Sequence, residues 1–364
     1  MNNLDKYIDI YNDFTRSLLK NYNNGKDNLV LSPFSIFVLL CMAADSTEGE
    51  TRDEIIKVIC KEHSYDEVRE IIKDLCENFS KDDTLSLANA LCVNETIADS
   101  IKPEFKDMLN SNYDAEIFAS KDIVSDVNNW VKEKTRGMIE KIANDNMKNM
   151  LACLMNAICF EAEWANPYEE DDIYEGEEFT NADGSKAEVA ILFSKENNYI
   201  ENNLYTGFIR SYKDHDYSFM ALLPKSESSE ELNSTLSSLD ISDLFRSSQY
   251  TDVDVYIPEF RYDFSEELTR YLESLGIEKI FTPSADFSPL TDEWLQADGI
   301  IHKAHIELDR KGTKAAAVSA MFDVTGFALD LDDTKTVRLD RPFIYAIMHN
   351  DSKLPVFVGI VNKL

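Results

Sequence analysis

The segment Arg310-Lys-Gly-Thr-Lys-Ala-Ala-Ala-Val-Ser-Ala-Met-Phe-Asp-Val-Thr325 decides how the rest of the chain is interpreted. It has one glycine, Gly312, and then a run of small or neutral residues close to the C-terminus. Read with period two, the face that begins with Thr313 is small or uncharged, and Lys314 lies on the other face, where it can stay in water. The segment could therefore be a solvated loop or could enter a sheet without burying a charge. An alanine-rich surface helix is the alternative, because alanine is the best helix former.

Length and composition indicate a large folded protein with a strongly acidic charge. The chain has 364 residues, of which 44% are hydrophobic, so it can fill a large interior as one large or two medium domains. Its formal net charge is -32, from 68 acidic and 36 basic residues. Nucleic-acid binding depends on neutralising phosphates with basic side chains, so we expect no nucleic-acid partner. Anionic membrane surfaces are disfavoured for the same reason. The acidity indicates solubility, or steering towards basic partner proteins.

The cysteines and the N-terminus say little about location. The six cysteines form no CxxC pair and mostly lie in apolar contexts, which predicts small buried side chains rather than a disulfide framework or a metal site. The N-terminus lacks the charged-then-apolar pattern of a signal peptide, and no apolar run reaches the length of a membrane span. The localisation is unknown: the chain is intracellular, or extracellular if a leader was removed before this numbering begins.

Helical periodicity dominates the first third of the chain, and strand-like runs dominate the rest. The predicted helices cover 4–22, a buried helix capped by Ser32-Pro33, 51–60, 64–79, 103–110, 124–144, about 229–246, and 264–275 ending at Gly276. The predicted strands cover 151–164, 217–223, 253–257, 337–339, 343–348 and 356–361. The helices come early in the chain and the strands come late, and no change in composition marks a domain boundary between them. This order predicts one α+β domain over 1–364.

Motifs that carry catalysis are missing from the sequence. There is no GxSxG elbow, HExxH, P-loop or GxGxxG after a strand. His302 and His305 fall in a strand-like run, where a spacing of three puts them on opposite faces and argues against a shared metal ion. The sequence alone does not reveal a Ser-His-Asp arrangement built from positions far apart in the chain, and no residue pattern in it argues for one. We therefore expect no enzyme, no cofactor and no metal.

The order and spacing of short motifs along nearly the whole chain resemble the serpins, inhibitors of serine and sometimes cysteine proteases. The matching segments are 28–36, 89–93, 128–131, 135–137, 154–164, 257–260, 275–277 with Phe281, 285–288, 301–304, 312–317 and 341–343. The resemblance implies the α+β serpin fold of three β-sheets and about nine helices. It also implies an exposed reactive-centre loop at about 310–336.

The implied function is inhibition of a serine protease by a monomeric suicide substrate. The protease forms a covalent acyl complex with the loop, and the cleaved loop then enters the central sheet as an added strand. The alternative within the family is a non-inhibitory binding or storage protein, whose loop is cut without insertion. The resemblance assigns a hinge to Gly312, Thr313, Lys314, Ala315, Ala316 and Ala317, a polar shutter cluster to Ser32, Ser35, Asn156 and His302, and the breach, where insertion begins, to Trp164.

The hinge departs from the family pattern at two positions. Arg310 and Lys314 stand where the family usually has glutamate, and we expect Arg310 to pair with Glu161 or Glu163 in a charge-swapped arrangement. Before cleavage, Thr313 is expected to be exposed or nearly so.

Two spacings give different positions for the scissile bond. The usual family spacing from Gly312 reaches Gly326, whereas counting back from Pro342 reaches Leu331. The first is preferred because the inserted length must match the sheet. It puts the bond within Thr325-Gly326-Phe327-Ala328. No Arg or Lys occurs from 315 to 334, which argues against trypsin-like targets and favours elastase-, subtilisin- or chymotrypsin-like ones.

Overall fold

The computed structural model describes residues 3–79, 81, 84–226, 229–297, 300–313 and 334–364. Nine α-helices lie within these ranges, in agreement with the number of about nine that the serpin resemblance implied. They are α1 Asn3–Tyr22, α2 Pro33–Asp45, α3 Gly49–Cys60, α4 Tyr65–Phe79, α5 Pro103–Tyr113, α6 Ile123–Lys134, α7 Ser229–Thr235, α8 Ile241–Arg246 and α9 Thr269–Ser274. None of these helices has the length and apolar character that crossing a membrane requires.

The strands of the described ranges form three sheets, which confirms the expected α+β architecture. They are β1 Leu29–Leu31, β2 Leu85–Asn94, β3 Ala115–Ser120, β4 Ala152–Phe160, β5 Ala162–Glu163, β6 Ile173–Thr180, β7 Lys186–Glu201, β8 Tyr205–Ser211, β9 Tyr217–Pro224, β10 Gln249–Pro258, β11 Phe260–Glu267, β12 Ile301–Leu308, β13 Gly312–Thr313, β14 Lys335–Arg338, β15 Phe343–His349 and β16 Leu354–Val361. The strand orders are β1-β16-β15-β9-β8-β7-β10-β14 with β6 on β7, β11-β12-β13-β5, and β3-β2-β4.

The chain folds into two compact units. The first comprises 1–15, 31–160 and 263–305, and contains helices α2 to α6 and the sheet β3-β2-β4. The second comprises 16–30, 161–262 and 306–364, and contains α7, α8 and most of the nine-stranded sheet.

Helix α2 is the buried helix that the sequence predicted. The side chain of Ser32 caps it by accepting a hydrogen bond from the backbone N–H of Ser35 at 3.2 Å, and Pro33 occupies the first turn, where no N–H partner is needed. Every residue from 33 to 44 is buried. A helix that is apolar on all sides is stable only when it is surrounded, so its sequence fixes its central place.

Three predicted helices are shorter than the sequence suggested. Helix α6 ends at Lys134 rather than at residue 144. The hydroxyl of Thr135 donates a hydrogen bond to the carbonyl of Val131, and Gly137 adopts a left-handed φ of +82°, which ends the helix. The predicted helix 229–246 is broken, since Asp240 caps a new helix, α8. The predicted helix 264–275 keeps only α9, because the alternating Phe260-Arg-Tyr-Asp-Phe264 places aromatic residues on one face and forms strand β11.

Candidate functional site

The hinge begins as a strand inside the four-stranded sheet. After β12 the chain turns at Asp309, whose carboxylate accepts hydrogen bonds from the N–H groups of Lys311 at 2.7 Å and Gly312 at 3.1 Å. Gly312 and Thr313 then run antiparallel to Leu308 on one side and to Ala162–Glu163 on the other. The first two hinge residues therefore already occupy a strand position between β12 and β5.

Gly312 is required by the closeness of β5. A Cβ atom at this position would lie 2.0 Å from the carbonyl oxygen of Ala162, and backbone cannot yield as a flexible side chain can. The strand pairing at the hinge therefore depends on glycine for close approach, not for a special backbone angle.

Thr313 is buried, and the expectation that it is exposed in the intact chain was wrong. Only 1% of its surface is accessible, and its hydroxyl lies 2.7 Å from the hydroxyl of Tyr212. Burial raises the pKa of Tyr212, so its phenol stays protonated and available for this hydrogen bond. The cause of the burial is the tight turn at Asp309, which sends the chain back alongside β12.

Trp164, the predicted breach residue, holds the hinge turn from the side. It is fully buried, its indole N–H donates to the carbonyl of Asp309 at 3.0 Å, and its backbone N–H donates to the carbonyl of Lys311 at 2.9 Å. Its ring stacks on Tyr212 with centroids 4.6 Å apart and an angle of 6° between the planes, and the guanidinium of Arg210 lies 5.0 Å from its ring centroid. Trp164 thus contacts both the turn and the tyrosine that binds Thr313.

Arg310 is held by a carboxylate that the sequence did not identify. Its Nε and one terminal nitrogen bind the two oxygens of Glu259 at 3.0 and 2.9 Å, and Glu175 lies 3.6 Å away. Glu163, one of the two predicted partners, binds Lys213 at 2.9 Å. The prediction that Arg310 pairs with Glu161 or Glu163 was wrong: its main acceptor is Glu259, because this residue, which follows strand β10, comes closer to the turn.

The four predicted shutter residues lie in one buried hydrogen-bond chain. The backbone N–H of Ser32 donates to Nε2 of His302 at 3.1 Å, and the Ser32 side chain accepts from the N–H of Ser35. The Ser35 hydroxyl donates to the side-chain oxygen of Asn156. The Asn156 amide donates to Oδ1 of Asn89 at 2.6 Å.

Asn89 is the member of this chain that the sequence did not single out. It lies directly opposite Asn156 in the pairing of β2 with β4, and its own amide donates to the carbonyl of Tyr113 at 2.7 Å. The register of the two strands would have identified it, but a sequence without strand pairing does not give that register. The hydrogen bonds run without a break from His302 to Tyr113, which is the kind of connection that buried polar groups require.

His302 is neutral in the folded protein. It is 2% exposed, and burial lowers its pKa to about 4 from an ordinary value of 6.5. Since Nε2 accepts the bond from Ser32, the ring proton is on Nδ1. His305 lies on the opposite face of β12 and binds Asp263 at 2.7 Å, so the two histidines have separate partners.

This buried histidine predicts a specific pH dependence of stability. Because the folded pKa is below the unfolded one, the unfolded chain binds the proton first, and stability is full above about pH 6.5 and falls towards pH 4. Between pH 7.5 and 5.0 the wild type should lose about 2 kcal/mol more than His302→Gln, whose side-chain oxygen can accept the same bond. Urea unfolding of both proteins at the two pH values measures this difference, and equal losses would contradict it.

The remaining predicted site residues lie outside the described residues. They are Lys314, Ala315, Ala316 and Ala317 of the hinge, and Thr325, Gly326, Phe327 and Ala328 of the reactive bond region.

The fold and the hinge define an α+β protein in which Gly312 and Thr313 form a strand within a sheet, and comparison with known proteins gives its family. The family model Serpin (serine protease inhibitor) matches residues 9–364. Iripin-4 of Ixodes ricinus is 28% identical over 97% of this chain and 93% of its own length, and Iripin-2 of Ixodes ricinus is 31% identical over 71% and 68%. The crystal structure of a thermophilic serpin, tengpin, in the native state has a TM-score of 0.89 and 34% identity over 99% of this chain and 94% of its own. The chain belongs to the serpin family.

Proposed function

We propose that this serpin inhibits a serine protease as a suicide substrate. The protease serine attacks the carbonyl of the scissile residue and forms an acyl-enzyme, and the new N-terminus on the far side of the bond is released. The cleaved loop then continues β13 into the sheet and carries the attached protease with it before water can hydrolyse the ester. The protein acts as a monomer, and its two compact units serve as one functional domain over 1–364.

The observation that carries this proposal is the position of Gly312 and Thr313. A loop that must enter a sheet needs an entry point, and here its first residues are already paired with Leu308 and with Ala162–Glu163. Thr313 begins the face that the sequence predicts to enter the core, and its side chain is already buried. The next residues on the same face, Ala315, Ala317 and Ser319, are small and neutral, so continued insertion buries no charge along the first stretch.

Entry of a new strand requires two neighbouring strands to separate and then to pair with the inserted strand. The shutter cluster is suited to control this separation. Its polar groups are bound to one another at the start of α2 and at His302 of β12. Such a network gives a defined closed arrangement, because every group that separates must find a new partner. Tengpin, a structural relative, has been solved in both a native and a latent state, and this chain matches the latent form with a TM-score of 0.82 and 32% identity over 98% of both chains.

The target protease is elastase-, subtilisin- or chymotrypsin-like. The segment 315–334 contains no Arg or Lys, so a trypsin-like pocket has no side chain to bind there. Small Val324 and Thr325 fit a shallow pocket, and Phe327 fits an aromatic one. The acidic charge of the chain favours a target with a basic surface.

The test is incubation with pancreatic elastase, subtilisin and chymotrypsin, with trypsin as the comparison. We expect a complex that survives denaturing gel electrophoresis with at least one of the first three enzymes. The N-terminal sequence of the released C-terminal fragment should begin within 326–328. If all three cut the loop and keep full activity, the inhibitory function is wrong and the protein is a non-inhibitory serpin.

A further inference from the structure

Two cysteines face each other across neighbouring strands. In the antiparallel pairing of β2 with β4, Cys92 is the direct partner of Cys153. Direct partners in an antiparallel ladder have Cα atoms about 4.5–5.5 Å apart, with both side chains on the same face. A disulfide spans Cα distances of about 4.4–6.8 Å. The register therefore brings the two thiols close enough that a bond between them requires only a small adjustment of the strands.

Both cysteines belong to the same hydrophobic layer beneath α6. Cys92 is part of the buried cluster that includes Val127 and Val131 of α6, and Cys153 packs against that cluster. The next cysteine along β4, Cys159, lies opposite Ser86 instead. Strand β4 thus carries one cysteine that faces a thiol and one that faces a hydroxyl, which provides an internal comparison.

The two thiols differ in their access to reagents. Cys92 is fully buried, whereas Cys153 is partly exposed and lines a cavity of about 300 Å³ together with Met147, Asn156 and Glu266. A small reagent that enters this cavity meets Cys153 first, and the buried Cys92 is then the neighbouring thiol that can complete the reaction.

We propose that Cys92 and Cys153 form a reversible disulfide in which a low-molecular-weight disulfide is the oxidant. The Cys153 thiolate attacks one sulfur of the oxidant, which forms a mixed disulfide and releases one small thiolate. The Cys92 thiolate then attacks the Cys153 sulfur, forms the protein disulfide and releases the second small thiolate. The two protein thiols together lose two protons and two electrons, and the oxidant is reduced to two thiols.

The environment makes this reaction slow and dependent on pH. Burial raises the pKa of both thiols to about 12, so thiolate is scarce at neutral pH and becomes more abundant as the pH rises. Well below the pKa the thiolate fraction rises about ten-fold per pH unit, so oxidation should be roughly thirty-fold faster at pH 9 than at pH 7.5. Once formed, the bond closes a loop that contains α5, β3 and α6, which restricts the unfolded chain and raises the thermal midpoint by several degrees.

The experiment uses the full-length reduced protein and oxidised glutathione, with Cys92→Ser, Cys153→Ser and the control Cys159→Ser. Wild type and Cys159→Ser should lose two hydrogens by intact mass, yield one linked peptide pair containing Cys92 and Cys153, and melt several degrees higher until a reductant is added. Cys92→Ser should instead keep glutathione on Cys153, and Cys153→Ser should form no link.

Two results would overturn the proposal. One is stable glutathione on Cys153 of the wild type with no internal bond, which would mean that the thiols cannot meet. The other is no reaction of the folded wild type at pH 9 under conditions in which the urea-unfolded protein reacts, which would mean that Cys153 is closed to small disulfides. Neither result depends on whether the protein inhibits a protease.

Discussion

Thr313→Arg is expected to convert the protein from an inhibitor into a substrate. Thr313 is buried beside Tyr212 in the intact chain, so an arginine there cannot keep the hinge in its strand position. After cleavage, the same side chain would have to enter the sheet before the rest of the loop. An unpaired buried guanidinium costs about 3–5 kcal/mol. When this cost acts on the insertion step, it slows insertion by roughly 10²- to 5 × 10³-fold, and deacylation then releases active protease.

The measurement is the number of inhibitor molecules consumed per protease molecule inactivated, together with the amount of complex on a denaturing gel. For Thr313→Arg we expect almost complete cleavage with less than about a tenth of the wild-type amount of complex. A ten-fold change in the ratio of trapping to release needs a difference of only about 1.4 kcal/mol between the two barriers. Circular dichroism should show the same helix and strand content as the wild type, because the substitution disrupts only a two-residue strand.

Two further variants separate burial from charge. Thr313→Val keeps the shape but not the hydroxyl, so it loses the bond to Tyr212, costs about 1–2 kcal/mol and should still trap protease. Lys311→Gln changes a charge at an exposed position two residues away and should behave as the wild type. Equal trapping by Thr313→Arg and the wild type would show that insertion does not require this face of the hinge to be buried.

Much of this architecture could be predicted because the residues that determine it act locally. Ser32 and Pro33 fix the start of α2 by capping and by a preset φ, and the apolar run that follows requires a buried helix wherever it lies in the fold. The left-handed glycine after α9, Gly276 with φ of +93°, follows equally from local backbone preference.

The rest depends on register and on turns, which a single sequence does not contain. Thr313 is buried because the carboxylate of Asp309 closes the turn before it. The alternation of small and polar residues in the hinge is the same whether the hinge is a strand within the sheet or an exposed segment, so the sequence does not predict this burial. Asn89 contacts Asn156 across two paired strands, and Glu259, which follows β10, binds Arg310 in the turn after β12. Both contacts appear only once the strands are aligned.

Cleavage of the loop without a trapped protease should raise the thermal midpoint strongly. A metalloprotease such as thermolysin suits this test, because its attacking group is a metal-bound water and no acyl-enzyme forms. Once the loop is cut, the segment after Thr313 is free to continue β13 into the sheet. About ten new ladder bonds at ~0.5–1.5 kcal/mol each contribute on the order of 5–15 kcal/mol.

This free energy converts into a shift that calorimetry can detect. Unfolding entropies near 2.1 cal/mol/K per residue give about 0.8 kcal/mol/K for 364 residues, so the midpoint should rise by roughly 7–20 °C. Protein mixed with metal-chelated, inactive thermolysin should melt as the untreated sample does. Thr313→Arg cut in the same way should show a much smaller rise, because its first inserting side chain resists burial. An unchanged midpoint in the cleaved wild type would mean that the loop does not join the sheet, and the hinge strand Gly312–Thr313 would then be a fixed part of the fold rather than the start of an insertion.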